Sequence, residues 1–272
     1  MIATGYPYDD GRNTEIVDVE DSNFRCTKVE QFPIKLTGAT CGLMNGQKPY
    51  ICGGEGFNNG RWTYSKYCYQ LTEAGSWAKD QGATLNTARY RAGYGSVILN
   101  NNLILIGGYN GNRLSSIEML SPNTSAQTLS VQLPTGLSSH CQVPWDSETF
   151  FVIGGLTDGR KRRDESYFIN VKTNQRTNGP SLKTGRTYLG CGELEVNGKS
   201  YVIVTGGYNG APLYVSLRST EVLDKNNVAQ GWQKGKNLKF FLNICLLDNI
   251  SLHFRRRLAC FQKWFSNGFI CR

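Results

Sequence analysis

Pairs of glycines that directly follow short apolar segments recur along the chain, and they constrain its fold more than any other feature. The clearest copy, NNLILIGGYNGNRLSSIEMLS at residues 101–121, runs from an apolar segment through Gly-Gly and a polar turn into a second apolar segment. The copies recur about every 50 residues, with their second glycines at Gly54, Gly108, Gly155 and Gly207, and Thr4-Gly5 stands in place of the pair in the first copy. A period of this length is typical of chains built from repeated sheets.

Within one period the pattern predicts short strands and no helix. The apolar runs at 103–106, 151–153 and 201–204 are continuous rather than alternating. Continuous runs are expected of strands that neighbouring sheets cover on both faces. Turn residues such as Asn100-Asn101-Asn102 separate successive strands. The sequence therefore predicts an all-β chain.

The repeat resembles the kelch repeat of β-propellers. The resemblance rests on Gly-Gly after an apolar strand, on EIVD at 15–18 and EVLD at 221–224 in the next strand, on a later Trp, and on Arg89 and Arg186 before the following inner strands. It covers residues 1–233 and implies a kelch-type β-propeller of about five four-stranded blades. Residues 132–151 lack the Arg, and Tyr67-Cys68-Tyr69-Gln70 replaces the Glu motif. We therefore expect these two blades to be irregular.

The two ends of the chain depart from the repeat. The chain starts at the second strand of a blade, and residues 234–272 contain no Gly-Gly, so we expect an incomplete or imperfectly closed ring. The apolar part of this atypical basic and apolar tail is interrupted by Lys239 and Asp248, which predicts no membrane span. A membrane-surface segment, a strand that completes the first blade, and the aberrant end of a truncated product remain, and the last is favoured.

The net charge of +9 does not predict a nucleic-acid partner. Most of it comes from the tail, through Lys234, Lys236, Lys239, Arg255, Arg256, Arg257, Lys263 and Arg272 against Asp248. Recognition of nucleic acid would require a basic stripe on the folded domain itself. Only residues 159–165 of the repeat region are locally basic, and they are typical of a solvated loop.

Hairpin register separates the cysteines. A turn at Asn59-Gly60 places Cys52 opposite Cys68 on antiparallel strands, within disulfide range. Cys141 and Cys191 occupy the same place on the inner strands of adjacent blades, where we expect small buried thiols that fill space. The sequence therefore predicts one disulfide, between Cys52 and Cys68.

Catalytic chemistry has no candidate residues. Copper enzymes of the galactose-oxidase type need paired His and Tyr ligands, and His140 is the single histidine in residues 1–233. The Asp-box of sialidases is absent, and no acidic pair lies in an identifiable motif. The sequence predicts a protein that is not an enzyme, with no cofactor and no metal site.

Alternating strand direction gathers two kinds of connection on one end of a propeller: those between second and third strands, and those between blades. These loops carry Tyr, Trp and Arg, the residue types enriched in protein–protein hot spots. The same loops also carry Tyr6, Tyr8, Arg12, Arg91, Arg162 and Tyr214. They carry Arg89 and Arg186 as well, and these two could instead serve packing. We predict a binding site at Phe57, Arg61, Trp62, Tyr109, Arg113, Arg160 and Tyr208.

The sequence thus predicts a monomeric, non-catalytic module that binds a protein or peptide on this loop face. The Cys52–Cys68 register favours a secreted or cell-surface recognition protein. The alternative is an intracellular kelch scaffold, either a substrate adaptor for ubiquitin ligation or an actin-associated protein. A propeller enzyme is the more remote alternative.

Overall fold

The protein is built from short antiparallel strands. The computed structural model describes residues 2–4, 12, 14–17, 26–44, 48–94, 98–210 and 215–238. Its strands are β1 Ile2–Thr4, β2 Thr14–Val17, β3 Cys26–Lys28, β4 Lys35–Thr37, β5 Thr40–Met44, β6 Lys48–Cys52, β7 Glu55–Asn58, β8 Arg61–Tyr64, β9 Tyr67–Leu71, β10 Trp77–Thr84, β11 Ile98–Leu99, β12 Asn102–Ile106, β13 Ile117–Leu120, β14 Gln127–Thr128, β15 Cys141–Pro144, β16 Thr149–Ile153, β17 Ser166–Asn170, β18 Gln175–Asn178, β19 Gly190–Val196, β20 Lys199–Thr205, β21 Tyr208–Asn209, β22 Val215–Ser216, β23 Thr220–Asp224 and β24 Gln233–Lys234. The helical segments within these ranges are two 3₁₀ turns, Asp158–Arg160 and Val228–Gln230.

The strands form five successive sheets, which we call blades 1 to 5. Their strand orders are β1-β2-β3, β5-β6-β9-β10, β11-β12-β13-β14, β15-β16-β17-β18 and β19-β20-β23-β24. Between the second and third strands of a blade, β7 and β8 form a hairpin that β4 joins in blade 2, and β21 and β22 form a hairpin in blade 5. The predicted all-β, propeller-type architecture is confirmed, and the sheets do not close into a ring within the described ranges.

The expectation of two irregular blades is wrong for blade 4 and is confirmed in blade 2 for its outer strand alone. Blade 4 has four strands in continuous register. Blade 2 also has four strands, and its pairing shifts only in the outer strand, between Lys79 and Thr84. Blade 1 has three strands and no inner strand among its described residues, as the sequence analysis expected. Predictions for residues 239–272 concern the part outside the described residues.

Each central blade is covered on both faces. In β12, Leu103 and Leu105 pack with residues of blade 2, whereas Ile104 and Ile106 pack with residues of blade 4. In β16, Phe151 and Ile153 turn instead towards blade 5. Side chains that alternate between two apolar neighbours explain why these strands read as continuous apolar runs.

The glycine pairs mark the points where one blade meets the next. The second glycine of a pair donates its amide to a carbonyl that precedes the next inner strand: Gly54 to Arg89 at 2.7 Å, Gly108 to Leu137 at 2.8 Å and Gly155 to Arg186 at 2.8 Å. Gly107 has φ +59°, and a Cβ there would lie 2.3 Å from the Leu137 carbonyl oxygen. Only a residue without a Cβ allows this close approach at a positive φ.

A buried ion pair fixes the entry into blades 3 and 5. The Arg89 guanidinium donates to Glu118, to the Gly107 carbonyl at 2.7 Å and to the Ser116 carbonyl at 3.2 Å. Glu118 also accepts the amides of Asn86 and Thr87, so both charges are hydrogen-bonded. Neither side chain of the pair is exposed.

Blade 5 repeats this network residue for residue. Arg186 donates to Glu221 at 2.7 Å, to the Gly206 carbonyl at 2.9 Å and to the Ser219 carbonyl at 3.0 Å. Burial lowers the pKa of Arg186, and the neighbouring Glu221 opposes that effect. Arg89 and Arg186 therefore serve packing rather than ligand contact, which was the alternative left open by the sequence.

Blades 2 and 4 replace the ion pair by an apolar pair. In blade 4, Leu137 takes the place of Arg89, because its carbonyl accepts the equivalent glycine amide. Tyr167 takes the place of Glu118, because it pairs with the equivalent residue of the second strand. Leu137 and Tyr167 belong to one buried cluster, and Leu36 and Tyr69 likewise share a cluster in blade 2. A buried ion pair can be exchanged for apolar residues of similar volume at little cost. The missing Arg and Glu in the sequence therefore do not disturb these blades.

Two disulfides lie in the described part of the chain. Cys52 and Cys68 face each other on β6 and β9 with an S–S distance of 2.09 Å, which confirms the predicted pair. Cys141 and Cys191 are also bonded, at 2.08 Å, so the expectation of separate buried thiols is wrong. The inner strands β15 and β19 bring their Cα atoms to 6.0 Å, within ordinary disulfide range.

We predict that the ion pair of blade 3 can be replaced by the apolar pair of blade 4. Arg89→Leu alone should lower the free energy of unfolding by about 3–5 kcal/mol, because it leaves Glu118 buried without its partner. The double variant Arg89→Leu/Glu118→Tyr should recover most of that loss. Urea denaturation of both variants and of Glu118→Tyr measures this. A double variant as unstable as the sum of the single changes would contradict it.

Candidate functional site

The loop face is held together around the propeller axis by a row of backbone hydrogen bonds, which we call the axial belt: Gly38, Arg91, Ser139 and Tyr188. Each residue stands two positions after the Leu or Arg at a blade entry. The amide of Arg91 donates to Gly38 at 2.8 Å, that of Ser139 to Arg91 at 3.1 Å, and that of Tyr188 to Ser139 at 2.9 Å. The belt therefore links blades 2, 3, 4 and 5 directly.

All four residues of the axial belt have left-handed backbone, with φ values of 59°, 54°, 53° and 55°. Glycine adopts this conformation freely, but Arg91, Ser139 and Tyr188 do so at a cost of about 1–2 kcal/mol per residue. Strained residues of this kind persist where the surrounding structure over-determines them, and they cluster at functional sites. The belt thus fixes the direction in which these side chains leave the backbone.

Aromatic rings and guanidinium groups surround the belt, and we call them the Tyr–Arg cluster: Tyr64, Tyr90, Arg91, Tyr94, Tyr109, Arg113, Tyr188 and Tyr208. On one side, Tyr64 from the β7–β8 hairpin lies 6.3 Å from Tyr90 and 5.7 Å from Tyr109, measured between ring centroids. Tyr90 and Tyr109 also exchange backbone hydrogen bonds at 3.0 and 2.8 Å. Loops of blades 2 and 3 therefore form one continuous surface.

Arg113 extends this surface to blade 4. Its guanidinium carbon lies 5.6 Å from the Tyr109 ring centroid. It donates to Ser138 Oγ at 3.1 Å and to Asp158 at 2.9 Å. Asp158 is well exposed, so the ion pair adds little stability but orients Arg113.

Arg91 and Tyr188 occupy the other side of the cluster. The Arg91 guanidinium carbon lies 4.3 Å from the Tyr90 ring centroid and 4.9 Å from that of Tyr188. Tyr188 in turn lies 5.7 Å from Tyr94 and 5.9 Å from Tyr208. Burial raises the pKa of Tyr90 to about 12, despite the opposing effect of Arg91, so this hydroxyl stays protonated at neutral pH.

The residues predicted from sequence fall into three groups. Tyr109, Arg113 and Tyr208 belong to the Tyr–Arg cluster. Phe57 and Trp62 face each other on the β7–β8 hairpin with centroids 5.2 Å apart, and Trp62 is 38% exposed. Arg61, beside the turn of that hairpin, and Arg160, in the blade 4 loop, are exposed on the same face. Tyr6, Tyr8 and Tyr214 lie outside the described residues.

Sequence reasoning missed Tyr64, Tyr90, Tyr94 and Tyr188, and it gave Arg91 no central role. Their position within the repeat, rather than their residue type, is the feature that could have identified Arg91 and Tyr188. Arg91 and Tyr188 each lie two residues after a buried Arg. Alignment of the blade entries to one another would have placed both on the axial belt.

His140 lies directly beside the axial belt and is fully buried. Its Nε2 lies 3.4 Å from Gln142 Oε1, while its Nδ1 has no hydrogen-bond partner. Burial lowers the pKa of His140 to about 4, and the bond to Gln142 only partly opposes this. The ring is therefore neutral at physiological pH and is not accessible to a ligand on the loop face.

Other features lie apart from this face. A cleft of about 520 Å³ lies on the opposite end, lined by Lys48, Pro49 and residues 70–74. Within the described ranges, no group of three or more His, Cys, Asp or Glu side chains could hold a metal ion. No helix in those ranges is long and apolar enough to cross a membrane.

We predict that burial of neutral His140 makes stability depend on pH. The unfolded chain binds a proton near pH 6.5 and the folded chain only near pH 4. The free energy of unfolding should therefore be highest above pH 6.5 and fall by up to about 3 kcal/mol as the pH drops to 4. Urea denaturation between pH 7 and 5 should show a flatter profile for His140→Asn. Parallel profiles for the two proteins would contradict this.

Comparisons with known proteins agree with this architecture. The family model described as the Kelch motif matches residues 90–129, which span the entry and strands of blade 3. A solved structure of YjhT is similar, with a TM-score of 0.71 and 14% sequence identity, over 85% of this chain and 79% of that one. At this identity the likeness concerns the fold alone. No curated protein matched the sequence.

Proposed function

We propose that this kelch-repeat β-propeller protein is a non-catalytic recognition module that binds a protein or peptide on its loop face. The observation that carries the proposal is the Tyr–Arg cluster, in which loops of blades 2, 3 and 5 meet through ring contacts and Arg113 reaches blade 4. Tyr and Arg are enriched in hot spots: Tyr offers a large, rigid contact area with two side-chain torsions, and Arg offers a planar fork of hydrogen-bond donors. Kelch repeats generally mediate protein binding, which supports the same class of function.

The rigidity of the cluster supports recognition. The axial belt, the paired backbone bonds of Tyr90 with Tyr109 and the disulfide between Cys141 and Cys191 hold these loops to one another. A surface that is already ordered loses less entropy on binding. Beside it, the Phe57–Trp62 pair projects from a hairpin and offers an exposed aromatic contact.

The two disulfides favour a secreted or cell-surface protein, because such bonds persist in oxidising compartments and are rare in the cytosol. An intracellular scaffold is the alternative, and it predicts that these cysteines are reduced in cells. A propeller enzyme is a further alternative. A copper enzyme of the galactose-oxidase type would need accessible paired His and Tyr ligands, and His140, the one histidine among the described residues, is fully buried. Metal analysis of purified protein tests that alternative.

We predict that substitutions on the loop face weaken partner binding and that matched changes on the opposite end do not. Affinity capture would first isolate a partner. Trp62→Ala and Arg113→Ala should then each weaken its binding about thirtyfold, the effect of losing about 2 kcal/mol. Val196→Ala and Lys199→Ala remove an exposed apolar side chain and a positive charge near the β19–β20 turn on the opposite end. If these two controls weaken binding while the loop-face variants do not, the assignment of the face is wrong.

A further inference from the structure

Arg91 differs from the other well-ordered arginines near the axis in the partner it has. Arg89, Arg186, Arg113 and Arg163 each form an ion pair with a carboxylate. The Arg91 guanidinium donates to the Tyr188 hydroxyl and also interacts with the Tyr90 hydroxyl. Among the described residues, no carboxylate lies within 4.0 Å of it. A guanidinium has five N–H donors, so those not directed at the two tyrosine hydroxyls remain for a ligand.

The surroundings of Arg91 would strengthen an interaction with an anion. Tyr90 and Tyr188 flank the guanidinium, and Tyr94 stands beside Tyr188. These rings hold the guanidinium plane in place and exclude water from its flat faces. Electrostatic attraction is larger in such a partly desolvated setting than in open water. A planar carboxylate suits this geometry because it can accept two parallel N–H bonds.

The rest of the loop face adds charge of the same sign. Arg61, Arg160 and Lys161 are exposed there. Arg113 is paired with Asp158, and Glu55 of the β7–β8 hairpin interacts electrostatically with Arg91 from beyond ion-pair distance. Basic side chains around a partly buried arginine steer an acidic ligand towards it.

We propose that Arg91 is the subsite for a carboxylate of the partner, namely an Asp or Glu side chain on an acidic segment of a protein. The carboxylate lies at the mouth of the axis between Tyr90 and Tyr188, and neighbouring residues of the acidic segment extend over Tyr109 or Tyr208. This inference rests on the proposed function, because it names the chemistry that the same face recognises.

Acetylated, amidated hexaglutamate and hexaglutamine peptides test this subsite by calorimetry at low salt. Hexaglutamate should bind saturably, hexaglutamine should not, and binding should weaken as salt is added. Arg91→Gln should weaken hexaglutamate binding at least tenfold. Arg91→Lys should restore it only in part, because an ammonium lacks the planar fork. Lys199→Gln removes one positive charge from an exposed position on the opposite end and should change binding less than threefold.

Failure of hexaglutamate to bind, or equal affinities of the parent and Arg91→Gln proteins, would overturn the subsite. Equal losses in Arg91→Gln and Lys199→Gln would also overturn it, since the effect would then be general attraction to a positively charged protein. If binding of a captured partner depends on Trp62 and Arg113 but not on Arg91, the carboxylate subsite is wrong and the proposed function still stands. Circular dichroism and thermal unfolding of each variant verify that it is folded.

A second observation concerns the opposite end of the propeller. Asn123-Thr124-Ser125 in the turn between β13 and β14 has the form of an N-glycosylation acceptor. All three residues are exposed, and Asn123 has a φ of 58°, which projects it from the turn. Within the described ranges the Asn123 amide has no hydrogen-bond partner, whereas the amides of Asn86 and Asn100 are engaged.

We infer that Asn123 carries an N-linked glycan. The inference rests on the secreted form of the proposed function, which the two disulfides favour. In the reaction, a lipid-pyrophosphate oligosaccharide supplies the sugar. Its C1–O bond to phosphate breaks, a bond from C1 to Asn123 Nδ2 forms, and the displaced amide proton leaves with the lipid pyrophosphate. A glycan there lies away from the loop face and leaves the Tyr–Arg cluster open.

The full chain, secreted from eukaryotic cells behind a heterologous signal, tests this by mass before and after enzymatic removal of N-glycans. Asn123→Gln and Ser125→Ala should each lose one glycan, while Ser125→Thr should keep it. Asn249→Gln, at the other acceptor motif, should leave the Asn123 glycan in place. A glycan that persists in Asn123→Gln, or an Asn123 that stays unmodified, would overturn the inference.

Non-reducing peptide mapping of the same sample separates this inference from the secreted form of the function. If Cys52–Cys68 and Cys141–Cys191 are bonded while Asn123 is bare, only the glycosylation is wrong. If all four thiols label freely, the argument for an extracellular location fails as well.

Discussion

The contact between a glycine pair and the entry of the next blade is the interaction on which the rest of the structure depends. The glycine lets its amide reach a carbonyl of the next blade, and the side chain of that same carbonyl residue anchors the entry. In blades 3 and 5 this side chain is an Arg bonded to Glu, whereas in blades 2 and 4 it is a Leu packed against Tyr. Two different chemistries thus support one backbone geometry, because each fills the same space and leaves no buried charge unpaired.

The position of the proposed binding surface follows from this contact. Once the entry residue is fixed, the residue two positions later joins the axial belt, and its side chain has one direction in which to leave the backbone. At the blade entries, Arg89 and Arg186 each form an ion pair with a glutamate of the same blade. Arg91 on the belt contacts tyrosine hydroxyls and forms no ion pair within the described residues, and this difference is the basis of the proposed carboxylate subsite. Position within the repeat therefore separates the structural arginines at the entries from the arginine proposed to bind a ligand.

The sequence was sufficient for features that depend on backbone spacing. The period of the glycine pairs, the continuous apolar runs and the register that opposes Cys52 to Cys68 all follow from local rules about strands and turns. The Cys141–Cys191 bond could not be assigned, because it depends on how closely two inner strands approach at the axis. Tyr64 and Tyr90 come from different blades, and their contact depends on the tilt of a hairpin that no local pattern specifies. Blade 4 was expected to be irregular because its residue types were compared with the repeat. Leu137 and Tyr167 differ from the ion pair in type but fill the same space.

Hydrogen–deuterium exchange of the protein with a captured partner tests the central claim most directly, since it reports the contact surface without substitutions. The account predicts slower exchange in residues 85–94, 107–114, 154–163 and 206–210 on the loop face. It predicts unchanged exchange in the opposite turns, at residues 99–102, 121–126 and 171–174. Protection confined to those opposite turns or to the outer strands, with the loop face unaffected, would contradict it.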